Sequence, residues 1–191
     1  MDARYKTGAE RKTAEERREA VLRAAMAEFA ARGLHGASTE RVAREAGIAH
    51  SYVFKLFGTK KDLFLASTER VYDRILGLFR EGVRRHPEAP IWGMGDSFRE
   101  LLEQREELLV VVHGFAAAGD PEIGGVVRER SADLYRYASD ASGAEAARLQ
   151  AFWSYGMMLI VAAAIDLPSL QGKEGWVYGL LNREEPSNTR S

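Results

Sequence analysis

Residues 38–64 read STERVAREAGIAHSYVFKLFGTKKDLF, and the spacing within them decides the fold. Ser38 and Thr39 can each cap a helix N-terminus, and apolar Val42, Ala43 and Ala46 recur behind them at three- and four-residue spacing. Gly47 stops that helix, because only glycine takes a left-handed C-terminal turn without a Cβ penalty, and Ile48 follows as an apolar plug. A second short helix is expected over Ala49–Phe57. It buries Val53, Phe57 and either Phe54 or Leu56, while its other face shows His50, Ser51, Tyr52 and Lys55. Two short helices around a tight glycine turn, the second with donors on its open face, are the pattern of a helix-turn-helix unit, which lays its second helix in the DNA major groove.

The remaining sequence is read outward from that unit. From Thr13 a helix begins with Glu15 and Glu16 in its first turn, where the helix dipole favours acids, and carries Leu22, Ala25, Met26 and Phe29 on one face until Gly33. Packed on the two short helices, that stripe makes a three-helix core over residues 13–58. After Gly58, Thr59 caps a long helix with Asp62 in a capping-box arrangement, and a stripe from Phe64 through Val71, Tyr72, Ile75 and Phe79 runs towards Gly82. Further helices are expected near 91–103, 105–118, 121–141, 144–165 and 174–181, with loops at 119–121, 142–143 and 168–173. The fold class is therefore all-α: an N-terminal three-helix helix-turn-helix domain joined by a long helix to a C-terminal helical domain over 59–181. Residues 1–12 are expected to be a flexible basic arm, with Arg4, Lys6, Arg11 and Lys12, and residues 182–191 a disordered tail.

Composition narrows the function. The chain of 191 residues has a formal net charge of −1, but the charge is uneven, with net +4 over residues 1–64 and −5 over the remainder. The basic part points at phosphates. The absence of cysteine excludes disulfides, thiolate metal sites and thiol redox sensing, and suits a reducing cytoplasm. No apolar signal segment opens the chain, and the uncharged run Ala151–Ile165 is shorter than the ~20 residues of a membrane span. An enzyme is disfavoured. His35, His50, His86 and His113 are scattered, and no metal-binding Glu-x-x-His pair or glycine-rich phosphate loop is present, so no cofactor or metal is expected.

Val42-Ala43, Ala46-Gly47-Ile48, Phe54-Lys55-Leu56-Phe57 and Thr59-Lys60-Lys61-Asp62-Leu63-Phe64 together resemble the DNA-binding domain of TetR/AcrR-type transcriptional regulators over roughly residues 14–65. Three positions depart from the family's pattern. Ala49 occupies the place where the family usually has a capping Ser or Thr, and the family's common Tyr-x-Tyr/His-Phe block is Phe54-Lys55-Leu56-Phe57 here, so that Leu56 departs as well and Phe54 lacks the phosphate-binding hydroxyl of the family's tyrosine. The resemblance implies a regulator, most often a repressor, whose second domain binds a small molecule that shifts the long helix and weakens DNA binding.

These readings nominate residues. His50, Ser51, Tyr52 and Lys55 are expected at base edges or nearby phosphates, and Ser38, Thr39, Arg44, Lys60 and Lys61 on phosphates; each is otherwise a solvated polar side chain. One such domain touches few base pairs, so useful affinity needs two on a palindromic operator, with recognition helices about 34–36 Å apart, and hence a homodimer. The helices near 121–141 and 144–165 are expected to form its four-helix interface. Met94, Phe98, His113, Phe115, Trp153, Tyr155 and Met157 would line a pocket for a hydrophobic or aromatic effector, although the same stripes also fit plain core. The competing function is a helical dimerisation or adaptor protein that has lost specific DNA binding.

Overall fold

The computed structural model of the chain describes residues 13–170 and 172–181. The expected basic arm and the expected C-terminal tail lie outside the described residues. Helix α1 spans Ala14–Gly36 and opens on a full capping box: the Thr13 hydroxyl accepts from the Glu16 amide at 3.2 Å, and the Glu16 carboxylate accepts from the Thr13 amide at 2.6 Å. Gly33, at φ +64°, kinks the helix where the sequence placed its end, and one further turn continues to Gly36. Helix α2 (Thr39–Ala46) is capped by Ser38 and closed by left-handed Gly47 at φ +69°. Helix α3 spans His50–Phe57; Ala49 makes no side-chain cap there, so the first amides of α3 lack a side-chain partner. Val53 and Phe57 are buried, Leu56 is half-buried and Phe54 is 40% exposed, which resolves the choice between Phe54 and Leu56 in favour of Leu56.

Helix α4 (Lys60–Arg85) begins on the expected capping box, with the Asp62 carboxylate accepting from the Thr59 amide at 2.8 Å. Its first turns belong to the N-terminal core, where Phe64 meets Phe29 of α1 edge to face with ring centres 5.0 Å apart. Its later turns are wrapped by α5 (Pro90–Arg99), α6 (Arg105–Ala116), α7 (Pro121–Ser142) and α8 (Ala146–Ala164), and α9 (Gly175–Leu181) follows. At the α4–α5 crossing the two backbones touch: a Cβ on Gly82 would fall 2.2 Å from the Gly93 carbonyl oxygen.

Two further boundaries differ from the sequence reading. The helix expected over 91–103 is α-helical to Arg99 and then tightens to a 3₁₀ turn, Glu100–Glu103, and the loop expected from Pro168 begins inside another 3₁₀ turn, Leu167–Leu170. Both are helix ends, where i→i+3 bonds satisfy carbonyls that the α ladder leaves over. The uncharged segment of α6 is central, with Leu108, Val110 and Val111 buried. Helix α8, whose sequence is apolar around its circumference, buries Phe152, Leu159 and Ile160 but leaves Val161 55% exposed, and Ile165 just beyond its end 63% exposed. None of the described helices is long and apolar enough to cross a membrane.

Candidate nucleic-acid interface and inner cavity

The candidate recognition face is set by how α3 is held. Arg18 of α1 donates to the Leu56 carbonyl at 3.2 Å and lies over the Phe57 ring at 4.3 Å, so the C-terminal end of α3 is clamped from behind. Glu28 of α1 clamps α2 in the same way, accepting from the Ser38 amide at 2.9 Å and from Arg41 Nε at 2.8 Å. The hydrogen bond from Arg41 is the main reason the Glu28 carboxyl lies below its ordinary value. With both ends tied to α1, the outer face of α3 is presented as a rigid unit.

On that face Ser51 and Lys55 are exposed and Tyr52 is half-exposed. The Tyr52 ring sits between two cations, Arg17 at 5.8 Å and Lys55 at 5.9 Å from its centre. His50 is already engaged: its Nε2 is 2.8 Å from the Thr39 hydroxyl, which joins α3 to the start of α2, and its ring meets exposed Phe54 edge to face at 5.0 Å. Arg44, in the last turn of α2, is exposed and forms no ion pair with any described residue. These groups form one continuous surface of hydroxyls, rings and cations across α2 and α3, suited to phosphate and base-edge contacts.

The other three nominated residues have structural partners. The Ser38 hydroxyl accepts from the Arg41 amide as the cap of α2. Lys60 donates to the carbonyls of His35 and Ala37, each at 3.2 Å, and so closes the end of α1. Lys61 pairs with Glu122 and Asp120 at the start of α7, and the Glu122 carboxylate is the chief reason its ammonium is held above its ordinary range. Arg17 was missed by the sequence reading. It lies 35 positions before Tyr52 and carries no local signal, and only the crossing of α1 and α3 brings the two together.

Deeper in the molecule, α4 to α8 enclose a partly open cavity of about 230 Å³. Of the nominated pocket residues, Phe98, Phe115, Trp153, Tyr155 and Met157 line it. Met94 is fully buried packing, and His113 turns the other way, its Nε2 3.1 Å from the Ala30 carbonyl and its ring against the kink at Gly33. A Cβ on Gly33 would meet His113 Nδ1 at 3.0 Å, so the glycine serves both the turn and the close approach of α6. The sequence reading took Tyr72, Ile75 and Phe79 only as the apolar stripe of α4 and passed over Ser131; all four are on the cavity wall. Tyr72 and Ser131 share a hydrogen bond of 3.2 Å between their hydroxyl oxygens. None of the described lining side chains carries a charge.

Comparison with known proteins agrees with this geometry. Residues 21–67 match the model of the tetR family of bacterial regulatory proteins. No curated protein matches the chain. Among solved structures, a protein described as a transcriptional regulator from Pseudomonas aeruginosa PAO1 is 21% identical, with 92% of this chain and 95% of that chain covered and a TM-score of 0.65. A transcriptional regulator from Rhodococcus sp. RHA1 is 18% identical, with 86% and 91% covered and a TM-score of 0.68. Another regulator, from Saccharomonospora viridis and solved in complex with choline, is 18% identical, with 87% and 92% covered and a TM-score of 0.60. At these identities the likeness is one of fold, and it extends over nearly the whole described chain. Residues 21–67, which include both helices of the helix-turn-helix and the start of the long helix behind it, are thus similar to the corresponding segment of the tetR family of bacterial regulatory proteins.

Proposed function

We propose that the protein is a cytoplasmic homodimeric repressor that holds two copies of α3 on a palindromic operator and is released when a small hydrophobic or aromatic molecule enters the inner cavity. One observation carries this reading: α4 supplies Tyr72, Ile75 and Phe79 to the cavity wall and, at its other end, Phe64 to the core on which α3 is mounted. A displacement of α4 by a ligand therefore moves the recognition helices, and a few kcal/mol of differential affinity suffices to shift the bound population. The exposed aliphatic residues Val161 and Ile165 at the end of α8 fit a second copy of the chain. A small organic cation occupies the Saccharomonospora viridis structure, which supports a ligand-binding role for this fold.

The test is selection of duplexes from random DNA with the full chain, followed by anisotropy titration over a salt series. The reading expects a palindromic consensus, a particle of twice 21.2 kDa and a steep negative salt slope. The competing adaptor reading draws on the engagement of Lys60 and Lys61 by other parts of the protein. A dimer with no duplex preference and no salt-dependent binding would replace the repressor with that adaptor.

A further inference from the structure

The wall of the cavity is specific about charge. Its polar side-chain groups are three hydroxyls, of Tyr72, Ser131 and Tyr155, and the indole N–H of Trp153. The Tyr155 hydroxyl donates to the Leu181 carbonyl at 2.9 Å, so its proton is spent tying α8 to α9. Tyr72 and Ser131 have two hydroxyl protons between them and one shared bond, which leaves one donor and unused lone pairs on the wall. Burial raises the Tyr72 phenol above its ordinary value, so this pair stays neutral and protonated at physiological pH. Asp96 and Arg99 line a separate small crevice, which shares Gly95 and Tyr155 with the cavity. An anion in the cavity would thus lose its hydration without meeting an opposite charge, and a cation would meet no carboxylate there, only the faces of aromatic rings.

Size and shape narrow the choice further. A cavity of ~150 Å³ holds benzene, and this one, at about 230 Å³, is half again as large. Phe79 packs against Phe98 and Phe152 with ring centres 6.2 and 5.5 Å apart and steeply inclined planes, a wall that takes the edge and face of a flat ring system.

We infer that the cavity takes an uncharged bicyclic aromatic molecule bearing one hydroxyl or carbonyl oxygen, which hydrogen-bonds to the Tyr72–Ser131 pair. The inference rests on the reading of the cavity as an effector site and adds the ligand's chemistry.

The experiment titrates the full-length chain calorimetrically with four probes of matched shape: 2-naphthol, 2-methylnaphthalene, 2-naphthoate and 2-naphthyltrimethylammonium. The expected result is that 2-naphthol binds roughly tenfold or more tighter than either ion. It is also expected to exceed 2-methylnaphthalene by about three- to tenfold, an advantage that Tyr72→Phe and Ser131→Ala each abolish while the binding of 2-methylnaphthalene is unchanged. Thermal melts of both variants establish that they are folded. If either ion binds as tightly as 2-naphthol, the ligand class is overturned and the effector reading stands. If both variants keep the full preference for 2-naphthol, the hydroxyl pair is not the recognition element and the inference falls. Binding of 2-naphthol that leaves operator affinity unchanged overturns the effector reading and supports the ligand class. Failure of all four probes to bind overturns both.

Discussion

Glu28 and Glu107 are both largely buried carboxylates, yet their surroundings drive them in opposite directions. Glu28 lies below its ordinary value of 4.5 because Arg41 and the Ser38 amide donate to its charged form. Its contribution to stability is therefore present above pH 4.5 and is lost as pH falls through the lower folded value. Glu107 lies above 4.5 because desolvation outweighs its pairing with Arg74, and its Oε2 has no hydrogen-bond partner. Its contribution is greatest below pH 4.5 and fades as pH rises through the raised folded value. Urea unfolding of Glu28→Gln and Glu107→Gln from pH 4 to 7.5 tests the contrast. Relative to wild type, Glu28→Gln loses about 1–2 kcal/mol at neutral pH and less in acid, whereas Glu107→Gln is least harmful at neutral pH and most harmful in acid. On the proposed DNA face, Lys55→Ala is expected to lower affinity for all sequences and flatten the salt slope by about 0.9. Tyr52→Ala is expected also to change the selected sequence, since its ring bridges Lys55 and Arg17 on the reading surface. Anisotropy titrations at several salt concentrations separate the two effects.

Among the elements, α4 carries the coupling in the proposed mechanism, and its crossing with α5 is built on glycine. Because Gly82 and Gly93 bring the backbones into contact, a methyl group at either position meets a carbonyl of the other helix rather than a movable side chain. Gly93→Ala is expected to destabilise the chain by about 1–3 kcal/mol, read as a lowered urea midpoint, because the helices must separate to admit it. Glycines open on one side, such as Gly77 on α4, should tolerate the same change. The junction of α6 with α1 is also close, since His113 fills the space beside the Gly33 kink, although there the contact is with a side chain and not with backbone. Helix α6 also supplies Val111 and Phe115 to the cavity, so α1, which packs on α6, and α4 both connect the cavity-lining helices to the candidate DNA face.

At the scale of the whole molecule, the single chain leaves its most exposed large aliphatic side chains, Val161 and Ile165, at the C-terminal end of α8. In the proposed dimer they are covered by a second copy. Val161→Arg is expected to leave the subunit folded, because the side chain is 55% exposed, but to halve the particle from twice 21.2 kDa to one chain. Operator affinity should fall by orders of magnitude with it, because each half-site is then bound alone. Sedimentation of Val161→Arg beside wild type, with melting curves for both, checks this. The charge division between a basic N-terminal third and an acidic remainder suits a molecule that presents one end to DNA and keeps the other clear of it.

The amino-acid sequence by itself determined the helices and most of their ends. Thr13, Ser38, Gly47 and Thr59 act through bonds spanning a few residues, so their roles follow from neighbours in the chain. The same locality made the helix-turn-helix readable, together with the missing cap at Ala49. Only the tertiary structure decided which nominated groups face outward and which are engaged within the protein. Lys61 meets Glu122, His113 meets Ala30, Arg17 meets Tyr52, and Tyr72 meets Ser131. Each of these pairs is separated by 35 to 83 positions. Their meeting depends on the angle and depth at which helices cross, which is set by side-chain packing summed over both surfaces and leaves no mark in any short window of sequence.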